Sequence, residues 1–181
     1  KMLEVVTMAH RQLYRFRYHR AKTLLMLEEF KNRRFGPLKE YLDAVSSETP
    51  HQYFQDGERM SEIRSKFDKT DMIVRSKSNF ANRLAGFVLP SVTDNQKRHE
   101  ALQKFMIAND SVTVATEVPV YIRKEDVEHM ENVLKFKITR PSAEVAGSDE
   151  PLIYLKGDKN PRQFPKLLTG HIDFVQIRNG M

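Results

Sequence analysis

The sequence predicts an α/β protein in which a helical N-terminal half is followed by a half that carries the strands. Two observations carry that prediction. Leu3 to about Lys31 contains neither Gly nor Pro and is rich in Leu, Met, Glu, Lys, Arg and Ala, residues that lose little on entering a helix. Beyond Asn109-Asp110 the apolar period changes from 3.6 residues to 2, the signature of helix giving way to strand. A soft boundary at Pro90 separates a basic helical region, 1–90, from a second region, 91–181.

The elements follow in order. Val6, Leu13, Phe16, Leu24 and Leu27 fall near one face of the first helix, while Arg11, Arg15, Tyr18 and Lys22 form a basic row on another. Gly36-Pro37 ends that helix. A shorter one runs through Leu38, Tyr41, Leu42 and Val45, and Ser46 to Gly57 reads as a loop. Glu58 to about Leu89 is mostly helix-compatible, with Met72-Ile73-Val74 as a short strand candidate. Thr93-Asp94-Asn95-Gln96 fits a capping box that starts a helix running to about Ala108, on whose apolar face His99 points inward beside Leu102 and Met106. Val112 to Ile122 alternates as a half-buried strand containing Pro119. Glu125 to Asn132 is a helical turn, and Leu134, Phe136 and Ile138 form a second strand. Loops at Arg140 to Glu150 and Gly157 to Pro165 flank a short strand at Leu152 to Leu155. The last strand holds Ile172 and Phe174, with Asp173 between them, and Asn179-Gly180 reads as a type I′ turn.

Composition narrows the chemistry. The 181 residues hold 40% hydrophobic side chains, enough for one core or two small ones, and no Cys, so disulfides, thiolate zinc sites and Cys nucleophiles are excluded. No run approaches the roughly 20 apolar residues that span a bilayer, and the start lacks a secretory profile, so the expectation is a cytoplasmic protein. The net charge of +6 sits entirely in residues 1–40, which hold ten Lys/Arg against four Asp/Glu. A basic segment on a neutral body suits a phosphate-seeking protein, with Arg11, Arg15, Lys22, Arg75 and Lys77 as candidate DNA-backbone contacts. A solvated face fits the same residues. The sequence contains no Walker loop, G-X-G-X-X-G, Gly-X-Ser-X-Gly or His-Glu-X-X-His, which leaves nucleotide, Rossmann, serine-hydrolase and zincin chemistry without their cradles.

Asp173 is the sharpest residue. A carboxylate between Ile172 and Phe174 is costly to bury without a compensating cation, although a salt bridge or exposure at a strand end accounts for it as well. His99 fits either a ligand or a hydrogen-bonded core histidine. The run Leu168-Thr169-Gly170-His171-Ile172-Asp173-Phe174-Val175 resembles the second motif of the RecB-type branch of the PD-(D/E)XK nuclease superfamily. Upstream, His99 on its helix and Thr116-Glu117-Val118-Pro119-Val120 match that branch in order, so the resemblance covers roughly residues 95–181.

The resemblance implies a restriction-endonuclease-like core with a mixed sheet and a metal-dependent DNA nuclease that hydrolyses phosphodiester bonds with Mg²⁺ or Mn²⁺. It makes Asp173 and His99 the metal ligands and Glu117 a third catalytic candidate, with His171 in a packing or assisting role. The Asp/Glu-X-Lys strand of the family is missing from this chain, so the expectation is a fragment of a longer nuclease. The alternatives are a non-catalytic nucleic-acid-binding domain and a protein-interaction domain that docks a partner through its N-terminal helix, with Tyr14, Tyr18 and Met26 exposed.

Overall fold

The computed structural model describes residues 3–10, 12–30, 35–63, 80–136, 152–157 and 159–178. The chain divides into two compact units, one of residues 1–50, 75–119 and 171–181, the other of residues 51–74 and 120–170. The architecture is mixed α/β, with a five-stranded mixed sheet and six helices among the described residues.

The first unit opens with a strand pair where the sequence predicts helix. β1 (Glu4–His10) and β2 (Gln12–Tyr18) are antiparallel over their whole length, from Glu4 opposite Tyr18 to His10 opposite Gln12. The helix expected over Leu3 to Lys31 is thus corrected: only α1 (Arg20–Phe30) remains of it. The physical reason lies in Tyr14-Arg15-Phe16-Arg17-Tyr18, where aromatic and basic residues alternate with period 2. Phe16 and Tyr18 are fully buried and, with Met8, meet Leu42 and Val45 of α2 (Gly36–Glu48) and Ala115 and Val118 in one hydrophobic core. A helix would have scattered those aromatics around its circumference. The basic row falls with it, because Arg15 and Tyr18 stand on a strand, Lys22 stands on α1, and Arg11 lies outside the described residues.

Gly36-Pro37 opens α2 instead of only closing what precedes it. Pro37 occupies the first turn, where a missing N–H costs no hydrogen bond. The expected apolar positions of α2 hold: Leu42 and Val45 are buried, and Leu38 and Tyr41 pack against the same core. The unit continues with α4 (Phe80–Val88), which keeps part of the helix expected over Glu58 to Leu89, and α5 (Asn95–Asn109), close to its predicted span. β4 (Thr113–Arg123) pairs antiparallel with β2 through Arg17–Thr116 and Tyr18–Ala115. Every residue from Thr113 to Pro119 is buried, so this stretch is covered on both faces rather than half-buried as expected.

In the second unit, α3 (Tyr53–Asp56) replaces part of the loop expected over Ser46 to Gly57, and α2 itself reaches Glu48. β3 (Glu58–Arg59), followed by a 3-10 turn at Met60–Glu62, pairs parallel with the start of β7 (Leu167–Gln176). The helical turn after β4 is the full helix α6 (Lys124–Asn132). The strand expected through Leu134 and Phe136 does not form there. The Val133 and Leu134 amides donate to His129 O, and the Phe136 amide donates to Met130 O at 2.9 Å, so the chain wraps the helix end, with Lys135 left-handed at φ 58°. β5 (Leu152–Ile153) falls where a short strand was expected and pairs with β6 (Arg162–Gln163) inside the expected Gly157 to Pro165 loop. The expectations at Met72 to Val74, Arg140 to Glu150 and Asn179-Gly180 lie outside the described residues, as does Ile138. The strand order is β1-β2-β4-β7-β3, and no helix among the described residues is long and apolar enough to cross a membrane.

Candidate metal centre

Three side chains from three elements of the first unit converge. α5 supplies His99, β4 supplies Glu117 and β7 supplies Asp173, and one ligand atom from each lies within 4.8 Å of the others. His99 Nε2 stands 2.6 Å from Glu117 Oε1 and 3.6 Å from Asp173 Oδ1. Neighbouring ligands of one small divalent ion are about 3 Å apart, so this triangle needs only small side-chain adjustments to close on one. Two acceptor atoms at 2.6 Å also repel each other unless a hydrogen or a cation lies between them.

Burial within the triangle is uneven. Glu117 exposes 4% of its side chain, whereas His99 exposes 52% and Asp173 62%. The expectations that His99 points into the core and that Asp173 is buried are therefore corrected. β7 surfaces at Ile172 and Asp173, both exposed, before Val175 packs against the core again, and the buried acid of the three is Glu117. The result is a carboxylate floor with an imidazole and a second carboxylate on a solvent-exposed rim.

Glu117 is held in an unusual way. Its backbone is left-handed, at φ 51° in the middle of a strand, a conformation that costs a non-glycine residue about 1 kcal/mol or more. The β2–β4 pairing stops at Thr116, the residue before it. Breaking the ladder there re-aims the side chain that follows, as bulges do. Among the described residues, Glu117 Oε2 is buried without a hydrogen-bond partner, while Oε1 is met by His99 and by the amide nitrogen of Gln103. A buried, underpaired carboxylate oxygen is expensive in an empty pocket and useful as a cation ligand.

A polar chain stands behind the floor. Gln103, one turn after His99 and fully buried, places its Nε2 2.6 Å from His99 Nε2. Arg17, with only 4% of its side chain exposed, donates through Nη1 to Gln103 Oε1 at 3.4 Å and through Nη2 to Glu100 Oε1 at 2.9 Å. Burial lowers the Arg17 pKa from its ordinary value, against the pull of Glu100. Burial alone would raise the Glu100 carboxyl, but hydrogen bonds from Lys104 and Arg15 outweigh it and hold the group below the usual range. Sequence reasoning missed Gln103 and Arg17. The i,i+4 spacing of His99 and Gln103 and an arginine between two strand aromatics were the available signals.

The other predicted residues are placed elsewhere. Arg15 pairs with Glu100. Lys22 is half-buried and donates to the carbonyls of Ile107, Asp110 and Thr113 at 2.8, 2.9 and 3.0 Å, which occupies all three of its hydrogens. Arg75 and Lys77 lie outside the described residues. His171 stacks flat on Tyr14, with ring centroids 4.1 Å apart. Of the aromatics expected on the surface, Tyr18 is buried and Tyr14 is half-buried.

Two carboxylates and one imidazole form a mixed hard and borderline donor set, which suits Mg²⁺ and, better, Mn²⁺. The chain matches no protein-family model, no curated protein and no solved structure.

Proposed function

We propose that this chain carries the metal centre of a nuclease of the RecB-type PD-(D/E)XK kind, hydrolysing phosphodiester bonds of DNA with Mg²⁺ or Mn²⁺. The observation that carries the reading is the convergence of His99, Glu117 and Asp173 from a helix and two strands, with a buried oxygen of Glu117 lacking a partner. The sequence motif around Gly170 to Asp173 and the position of Glu117 on the preceding long strand support the same reading from an independent direction.

The residues present fit the ion. Glu117 and Asp173 would contribute one oxygen each and His99 its Nε2, and a bound dication at such a site polarises the phosphodiester and lowers the pKa of an attacking water. The chain's own residues do the rest. Glu117 is anchored on the floor by Gln103, so its charge is fixed in place before substrate arrives. His99 and Asp173, on the exposed rim, leave room for a polyanion to approach. The strained backbone at Glu117 fits a residue whose orientation serves chemistry ahead of stability.

The test is a DNA-hydrolysis assay in Mn²⁺, with Asp173→Ala as the control. Cleavage that requires the metal and that Asp173→Ala abolishes is the expected result. Cleavage unaffected by that substitution rejects the site. Metal binding without any cleavage favours a non-catalytic nucleic-acid-binding module.

A further inference from the structure

Chelation does not use Gln103 or Arg17, yet both are buried at the back of the centre, where polar groups are costly unless they have work to do. Their hydrogen-bond chemistry fixes an orientation. A guanidinium has donors only, so the end of the Gln103 amide that faces Arg17 must be its oxygen. The contact of Arg17 Nη1 with Gln103 Oε1 obeys that requirement. Turning the amide over would oppose two sets of donors in a buried place and leave its oxygen against a carboxylate.

The consequence reaches the metal ligands. With its oxygen committed to Arg17, Gln103 points its NH₂ group at Glu117 Oε1 and His99 Nε2. That group has two hydrogens, one for each acceptor. The network therefore gives Gln103 the single lone pair of His99 Nε2, a contact that a cation would replace on binding. It also commits Glu117 Oε1 to an amide donor and leaves Oε2 as the oxygen without a partner. Glu100 anchors the far end, accepting from Arg17 while Arg15 and Lys104 keep it paired on the surface.

We propose that Gln103, locked in one amide orientation by the buried Arg17, is a positioning residue that holds the Glu117 carboxylate in place for the cation through its hydrogen bond to Oε1. The inference rests on the metal-centre reading and adds to it two residues that touch no ion. It requires that Arg17 act only through Gln103.

The experiment measures Mn²⁺ affinity calorimetrically on the full 181-residue chain, alongside metal-free melting curves that report folding. Gln103→Met keeps the volume and removes both donors, and the expected loss of affinity is about 10- to 100-fold. Arg17→Met frees the amide to turn and also weakens binding, but adds nothing in the Gln103→Met background. Arg17→Lys preserves a donor-only group and holds affinity within about threefold of the parent. Parent chain that binds Mn²⁺ while folded Gln103→Met binds it equally well overturns the inference and leaves the metal centre standing. Parent chain that binds no Mn²⁺ overturns both. Should Gln103→Met fail to melt cooperatively, the Arg17 pair decides: equal affinities for Arg17→Met and Arg17→Lys overturn the inference.

Discussion

Helix α5 has a polar cluster at each end, and the two are built on opposite terms. At its C-terminus, Lys22 satisfies three carbonyls, and Asp110 Oδ2 accepts from Thr113 Oγ1 at 2.5 Å and from Gln176 Nε2 at 2.7 Å. Gln176 Oε1 in turn accepts from Arg178. Every hydrogen of the ammonium and every oxygen of that carboxylate has a partner, because the Val112 amide reaches Asp110 Oδ1. Towards its N-terminal end, His99, Gln103 and Glu117 are equally crowded, but among the described residues one buried oxygen is left over, and the candidate ligands His99 and Asp173 stay open to solvent. A cluster that completes itself holds the fold; one that stops an atom short fits the cation proposed for it.

The largest effect on folding is expected at the completed end. Lys22→Met leaves three carbonyls without their ammonium, and the expected cost is about 3 kcal/mol in a urea or thermal melt, with Mn²⁺ affinity of the folded chain unchanged. Destabilisation below about 0.5 kcal/mol would remove the distinction from that side.

The unfinished end should respond the other way. Glu117→Gln replaces a buried, underpaired carboxylate by a neutral amide of the same shape, so metal-free stability stays level or rises, as a melting curve reports. Mn²⁺ affinity falls by about 100-fold, or about 2.7 kcal/mol. Asp173→Asn, on the exposed rim, should lower affinity with no change in melting temperature. A large loss of stability in either variant would make the centre a structural cluster like its counterpart.

Acid sharpens the comparison further. Lys104 and Arg15 hold Glu100 below its ordinary 4.5, and Lys39 and Arg20 hold Asp43 below its ordinary 3.8, each against the opposing pull of burial. Both carboxyls therefore bind protons more weakly folded than unfolded. Their stabilisation is complete above those ordinary values and is lost as pH falls through the depressed folded ones. Glu100→Gln with Asp43→Asn should flatten the decline of melting temperature below about pH 4.5, and an unchanged decline would contradict these assignments. The smallest effect is expected at Phe87, 77% exposed on α4, where Phe87→Ser should shift stability by no more than about 0.5 kcal/mol.

Sequence made some of this legible and hid the rest for physical reasons. α2, β4 and β7 were readable from their apolar periods and α5 from its capping signal and turn-residue bounds, and these signals put His99, Glu117 and Asp173 on the right elements. The β1–β2 pair was hidden because Leu, Met and Arg are good helix formers, and tertiary burial of Phe16 and Tyr18 overrode that preference. The uneven burial of the centre was hidden too. Alternation along β7 says nothing of where the strand leaves the core, and no pattern announces the left-handed backbone at Glu117. Nothing in the local pattern singled out Arg17, since its partners Gln103 and Glu100 lie more than 80 residues away.

One measurement bears most directly on the centre as a whole. Calorimetric titration of the metal-free chain with Mn²⁺ should find one ion bound per chain, and the same titration of Glu117→Gln, melting as cooperatively as the parent, should find binding at least about 100-fold weaker. Equal binding by the two chains, or none by the parent, would contradict the account.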